Sequence, residues 1–331
     1  MTKTVKSAGC PAWRQAGLAY HAYGYHLRAR FGQRVQKVSI DAGFTCPNVD
    51  GTVAVGGCTF CDNRSFSPSR RLPRMAITNQ INEGIRQLQR RYDCQQFIAY
   101  FQPATNTYAP VDRLRACYEQ ALSHPQVVGL AIGTRPDCIE DATLELLAEL
   151  ARTSYVSLEL GIQTIHDRSL VWMNRGHDYA ASRVAVLRCQ GLGLELCAHL
   201  MLGLPAESHA DMMATIDEIA HLPIDGVKLH NLYVVRDTPL ADQYTRGEVS
   251  VMSREDYIAT VVDAIERLPP TMIIERIQGD APPDYLVAPT WCLDKPAVLN
   301  MLREAFRARD TWQGKKFVPS QTRDGNLSGD S

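Results

Sequence analysis

Between residues 35 and 235 one step repeats six times: a short apolar run that stops at Gly or Pro, then a stretch with apolar residues every three or four positions. Period two marks a strand and period 3.6 a helix. The runs at 35–40, 97–102, 127–134, 156–165, 194–204 and 227–235 read as strands. Stretches at 111–122, 141–151, 179–189 and 210–221 read as helices, and Thr78 is placed to cap another through Ile81, Ile85 and Leu88. Strand–helix alternation with short links makes an α/β protein with a parallel sheet. Runs apolar on both faces fit the burial of such a sheet. Periodicity does not separate an open doubly wound sheet from a partial barrel. The first strand lacks a following Gly-x-Gly-x-x-Gly, which argues against a dinucleotide fold.

That first strand leads instead into Cys46-Pro47, a Gly-rich stretch through Gly51, Gly56 and Gly57, and then Cys58-Thr59-Phe60-Cys61. Three thiolates on one loop suit a [4Fe-4S] cluster with one iron left open. Cys-x-x-Cys pairs also hold zinc with two further ligands, or work as redox dithiols. The loop by itself leaves these three readings open, and no second Cys-x-x-Cys occurs in the chain. The other seven cysteines stand singly and read as small buried residues. For Cys138, which follows the third strand, a hydrogen-atom donor is the alternative. Cys292 carries no assigned role.

Composition narrows the classes. At 45% hydrophobic and 21% charged the chain is globular, and no apolar run is long enough to span a membrane. The first residues contain no apolar segment of the signal-peptide kind, and ten cysteines then point to a reducing, cytoplasmic setting. The net charge of −1 hides an asymmetry: residues 1–92 hold 14 Lys/Arg against 4 Asp/Glu. Arg70, Arg71, Arg74, Arg86, Arg90 and Arg91 supply much of it, compatible with phosphate contacts or with a solvated helix face.

Alternation places Glu159, Gly161 and Gln163 on one strand face, and likewise Cys197, His199, Met201 and Gly203, Lys228 and His230, and Tyr100 and Gln102. In a curved sheet these would line one interior near the strand ends, where active sites form. Beyond residue 250 the pattern loosens: a helix at 254–268, a strand at 272–278, Pro-rich links and a helix at about 296–309. The expected organisation is an N-terminal extension (1–34), a core (35–250), a C-terminal α/β extension (251–319) and a disordered Gly/Ser-rich tail (320–331).

Several long segments, in order, resemble the radical SAM superfamily, and within it the YhcC/YtqA type. They are Asp41-Ala42-Gly43-Phe44-Thr45-Cys46-Pro47-Asn48, Thr105-Asn106-Thr107-Tyr108-Ala109-Pro110 and Gly133-Thr134-Arg135-Pro136-Asp137-Cys138. Glu159-Leu160-Gly161-Ile162-Gln163, Asn174-Arg175-Gly176-His177 and Trp312-Gln313-Gly314-Lys315 complete the set. The resemblance runs from about residue 20 to 316. It implies a partial (β/α)6 TIM-like barrel with a C-terminal extension. It also implies a [4Fe-4S] cluster on Cys46, Cys58 and Cys61, and S-adenosylmethionine (SAM) on the open iron. By the same likeness Gln163 and Arg175 match a ribose- and carboxylate-contacting pair, and His199 stands where a ribose-binding Asp occurs in the coproporphyrinogen-dehydrogenase type. Gly203 and Val234 would offer backbone to the adenine and Phe60 a ring face, with Gln102 and Glu159 as further SAM contacts.

Eleven residues separate Cys46 from Cys58, longer than the common three-residue gap, and Phe101-Gln102-Pro103 replaces the usual Gly-Gly-Glu-like strand end. The same domain type resembles that of Elongator catalytic subunits and methylthiotransferases (the MiaB-like group). The implied activity is reductive SAM cleavage, with a flavodoxin- or ferredoxin-like electron donor and a tRNA wobble uridine as substrate. The alternatives are the same chemistry on a small or porphyrin-like molecule, or a non-catalytic zinc module.

Overall fold

The computed structural model describes residues 10–71 and 73–319. The expected disordered tail at 320–331, and residues 1–9 of the N-terminal extension, lie outside them.

Seven parallel strands form the sheet: β1 (Val35–Ile40), β2 (Gln96–Phe101), β3 (Val127–Thr134), β4 (Tyr155–Gln163), β5 (Glu195–Leu202), β6 (Gly226–Asn231) and a seventh, Ile273–Arg276. They lie side by side in chain order, with no reversal. A doubly wound sheet reverses its order at a switch point, so this order settles the alternative in favour of the partial barrel. Helices Ile77–Arg91, Val111–Leu122, Asp141–Ala151, Tyr179–Arg188, His209–His221 and Arg254–Arg267 supply the crossovers. All nine residues of β4 are buried, as a central parallel strand covered on both faces requires. The outer face packs one continuous core of Ile, Leu, Val and Phe between sheet and helices.

The sheet curls on itself. Lys37 of β1 reaches Glu159 of β4 at 2.7 Å and Glu275 of the seventh strand at 2.8 Å. These contacts close over an interior rather than across a flat face. Helix Tyr23–Phe31 fills the gap between the first and last strands, and Ala22 bridges to Ile274.

The structure departs from the sequence pattern in four places. The strand expected at 272–278 within the C-terminal extension is shorter, Ile273–Arg276, and joins the main sheet as its seventh strand by pairing with β6. The run at 227–235 is broken: β6 stops at Asn231, and Val234–Val235 pairs antiparallel with Leu286–Ala288 in a separate small sheet. The link between them, Leu232-Tyr233, is itself strand-like, so periodicity does not show the break. Helix Ile77–Arg91 begins one residue before Thr78, which does not cap it. Its entry is fixed instead by Gln80, which donates to Met75 O and Asp41 O, each at 2.8 Å. Short helices at Asp167–Trp172 and Pro239–Thr245 had no pattern long enough to read.

The late Trp-Gln-Gly-Lys segment is a structural lock. Buried Gln313 accepts from the His21 amide (2.8 Å) and donates to Pro269 O (2.6 Å) and Met272 O (2.7 Å). It ties the N-terminal segment to the seventh strand. Gln313→Ala strands these backbone groups and is expected to cost about 2–3 kcal/mol in urea unfolding, with iron loading unchanged.

Candidate active site

Everything at the site starts from how the loop after β1 is held. Gly43 has φ +71°, and a Cβ there would sit 1.9 Å from the Arg74 guanidinium, which lies across it and donates to Ala42 O. Only glycine permits this close approach at that φ. Asp41 accepts from the Gly43 amide at 2.8 Å and pairs with Arg70 at 3.0 Å. Further along, Asn48 donates to Asn174 O and Arg175 O, Asn174 to Gly57 O, and the Thr59 amide to Met173 O. The loop is therefore stapled to the segment after helix Asp167–Trp172. Asn106 holds the ends of β2 and β3 together through Phe101 O (3.0 Å) and Gly133 O (2.8 Å). Segments 41–48, 105–110 and 174–177 thus share a physical role: they fix the loop over the open end of the sheet.

The loop roofs a cavity of about 670 Å³ at the C-terminal ends of the strands. Cys46, Cys58 and Cys61 all stand on its wall, together with Phe60, Gln102, Glu159, Gln163, Arg175 and His199. Two expected residues do not. Gly203 opens onto a separate cleft, against Met252, and Val234 is fully buried in the core beneath. The cavity wall in that sector is Met201, Leu232 and Tyr233.

The three thiols interact: burial pushes the Cys61 thiol well up, and Cys58 and Cys46 add to it. Yet among the described residues no three Cys, His, Asp or Glu side chains converge on a point that would hold one ion. A mononuclear zinc needs every ligand within about 2.3 Å of one centre. A cubane takes one thiolate at each of three separate irons, which spreads its sulfurs. Three thiols on one cavity wall are the donor chemistry that such a cluster takes.

Around the thiols the polar groups are arranged for a ligand. Arg175 places Nη1 3.5 Å from Cys58 Sγ and Nη2 2.7 Å from Gly161 O, while its buried Nε has no protein partner. A Cβ at Gly161 would come 2.5 Å from Nη2 and 2.9 Å from Gln163 Nε2, so it would displace both groups from where they stand. Asn48 Nδ2 is a second donor to Cys58, at 3.4 Å. Gln163 ends β4 at φ +73°, a costly conformation for a residue with a side chain and of the kind that concentrates at functional sites.

Glu159 is fully buried. Lys37 (2.7 Å), His199 (2.9 Å) and Lys228 all donate to it. Burial would raise its pKa, but Lys228 and Lys37 more than offset this and hold it well below the carboxylate range. Burial and Lys228 lower His199, and burial and Arg276 lower His230 well below the ordinary imidazole value. Both rings are neutral near pH 7.

Cys138 and Cys292 are absent from the cavity wall. Burial and Asp137 push the Cys138 thiol up to about 12, and burial does the same to Cys292, whose sulfur accepts from Asn231 at 3.0 Å. The basic residues disperse. Arg70 and Arg74 brace the loop and Arg86 pairs with Glu83. Arg90 and Arg91 sit at the end of their helix that leads into the start of β2, opposite the cavity. Tyr100 lines the wall as strand alternation implied, whereas sequence reasoning missed Tyr233 and Arg276 as wall residues. Arg276 gave no periodic signal, because the seventh strand is irregular.

The model of the radical SAM superfamily matches residues 52–219, and that of the radical SAM C-terminal domain matches 224–308. The chain belongs to the radical SAM superfamily. YtqA of Bacillus subtilis is 39% identical over 298 residues, covering 90% of this chain and 92% of YtqA. The tRNA uridine(34) acetyltransferase of Methanocaldococcus jannaschii is 31% identical over 163 residues, 48% of this chain and 30% of that protein. Among solved structures, the archaeal Methanocaldococcus infernus Elp3 with an N-terminal deletion superposes with a TM-score of 0.64 at 19% identity. It covers 84% of this chain and 64% of that one. The protein is thus a radical SAM enzyme of the YhcC/YtqA type, with a [4Fe-4S] cluster and SAM as cofactors and a half-barrel α/β fold. Among the described residues no helix is long and apolar enough to cross a membrane.

Proposed function

We propose that Cys46, Cys58 and Cys61 hold the cluster, that SAM occupies the cavity beside it, and that the substrate is a tRNA wobble uridine. The observation that carries the first two parts is the single cavity wall shared by the three thiols, the unpartnered Nε of Arg175 and the strained Gln163. When bound and reduced, the cluster and SAM supply a 5′-deoxyadenosyl radical, with methionine, that takes a hydrogen atom from the substrate.

The protein's own groups do the rest. Arg175 is braced on Gly161 O, so its fork meets a carboxylate without reorganising. The two N–H···S contacts from Asn48 and Arg175 draw charge from Cys58, which raises the potential of a cluster ligated there. Glu159 fixes the ring of His199, whose Nε2 donates to it and whose Nδ1 is left to accept from a ribose hydroxyl. Phe60 offers an apolar face, and the roofing loop keeps water from the reacting atoms. Gly203 and Val234 are replaced in this reading by Leu232 and Tyr233 as the adenine-side wall. A flavodoxin- or ferredoxin-like donor would supply the electron.

Support for tRNA comes from the relative named as a tRNA uridine(34) acetyltransferase. The cavity volume supports it too: about 670 Å³ leaves room beside SAM for a group the size of a base. The test is anaerobic reconstitution with dithionite and SAM, with 5′-deoxyadenosine measured with and without bulk tRNA. Stimulation by tRNA is expected. Binding of tRNA should also weaken steeply with salt, in proportion to the phosphates contacted. No stimulation together with no tRNA binding would remove the tRNA half of the proposal, and a small molecule would take its place.

A further inference from the structure

One charge on the cavity wall is not used by the site as described. The seventh strand skips a residue against β6: Val227 faces Ile274, Lys228 faces Arg276, and Glu275 is left over. Such an irregularity breaks strand alternation, so adjacent side chains reach the same side. Glu275 turns to Lys37, and Arg276 lines the cavity. The other charged groups on the wall have partners. Glu159 has its lysines, Arg175 has Gly161 O, Arg135 has Asp137, Arg70 has Asp41, and Arg64 has Asp62 and Asp237. Among the described residues the Arg276 guanidinium, on the cavity wall, has neither an ion pair within 4 Å nor a hydrogen bond.

His230 lies on the same wall, its Nε2 buried and without a partner. Its ring is 5.4 Å from that of His199. Behind it Gly279 packs so closely that a Cβ would come 3.2 Å from His230 Nδ1 and 2.9 Å from Tyr233. The ring is therefore set in place before anything binds. Arg276 is half-buried, and in a cavity the attraction between a guanidinium and an anion is stronger than in open water. Its planar fork matches a carboxylate or a phosphate, and a neutral imidazole adds a further hydrogen bond.

We propose that Arg276 and His230 form a subsite for an anionic group of the substrate, a carboxylate or a phosphate. The charged end is held inside the curled sheet, while the rest of the substrate faces the cysteine loop. The functional meaning of this subsite rests on the radical SAM reading of the cavity, but its occupancy does not require turnover.

The test is calorimetric titration of the cluster-loaded, SAM-saturated protein at constant ionic strength. The probes are benzoate, phenyl phosphate and the neutral benzamide. At least one anion should bind and benzamide should not, and the preferred anion tells a carboxylate from a phosphate. Arg276→Gln should weaken that binding about tenfold or more, and Arg276→Lys should keep part of it. Equal anion binding by wild type and Arg276→Gln overturns the proposal, as does binding of neither anion by wild type. Loss of SAM affinity in Arg276→Gln also overturns it, by assigning the guanidinium to the SAM carboxylate. Circular dichroism checks that both variants fold; Arg276 has no partner whose loss would unfold them. 5′-Deoxyadenosine formation by the wild type is followed in parallel. Its absence would sink the radical SAM reading of the cavity and leave the titration result standing.

Discussion

Cys58→Ala is expected to abolish iron loading and, with it, every reaction that needs the cluster. Cys58 is buried on the cavity wall, and its sulfur is the one that receives both N–H contacts, from Asn48 and from Arg175. Removing it takes away one corner of a three-point attachment and leaves two donors aimed at an empty position. Iron in the reconstituted protein should fall from about four per chain to a substoichiometric remnant. Dithionite-driven 5′-deoxyadenosine formation should fall by at least about a thousandfold, since no protein group replaces the lost chemistry. The fold should survive, because losing one sulfur from a small buried side chain costs only about 1 kcal/mol. Cys46→Ala and Cys61→Ala should behave alike. Cys138→Ala and Cys292→Ala serve as controls and should load iron normally, since neither thiol reaches the cavity. A full complement of iron in Cys58→Ala, with the usual cluster absorption, would refute the ligand assignment.

How much of this was legible in the sequence depends on which physical signal each element carried. The strands and crossover helices were read closely because burial imposes period two or 3.6 on them; Val111–Leu122 and Asp141–Ala151 fall where the pattern puts them. The barrel reading needed strand order, which periodicity lacks and family resemblance supplied. Chemistry carried by residue type and by the family resemblance was visible too: Cys46, Cys58, Cys61, Gln163, Arg175 and His199 do meet at one cavity. What stayed hidden was set by tertiary geometry. Alternation put Gly203 on the same face as His199, but β5 ends at Leu202, and Gly203, at φ +82°, turns to Met252 instead. A charged face such as Arg86, Arg90 and Arg91 looks the same in sequence whether it points at a site or away from it. Arg276 is the reverse case: only the skipped residue in the pairing brings it inside.

Glu159→Gln is expected to cost about 3–5 kcal/mol of folding stability. The reason is charge balance inside the curled sheet. Lys37 and Lys228 face Glu159 and Glu275 there, with the side chains of both glutamates fully buried and that of Lys228 nearly so. Tyr23 and Tyr100 lie against Lys37 with ring centroids 4.4 and 5.2 Å from Nζ, and Tyr100 also lies against Lys228. The rings add cation–π attraction but no negative charge. Removing one carboxylate leaves two ammonium groups sharing Glu275. Burial and Lys37 already lower Lys228, so that lysine would give up its proton first. A loss of this size is a large part of the total for an ordinary domain, which is about 5–15 kcal/mol. Glu159→Gln with Lys228→Met restores the balance and should recover more than half of the loss. The urea midpoint at neutral pH measures both effects, and a single-variant loss below about 1 kcal/mol would refute the argument. The same network sets the acid limit of the wild type. Glu159 has its folded pKa depressed, so its contribution is complete above the ordinary carboxylate value and is lost as pH falls towards the folded one. His199 and His230 are bases with depressed folded values. Their contribution is complete above about pH 6.5 and is likewise lost on acidification. Both signs agree: stability should begin to fall below about pH 6.5, and replacing His230 by Gln should blunt the first part of that fall while leaving the carboxylate part, set by Glu159, in place.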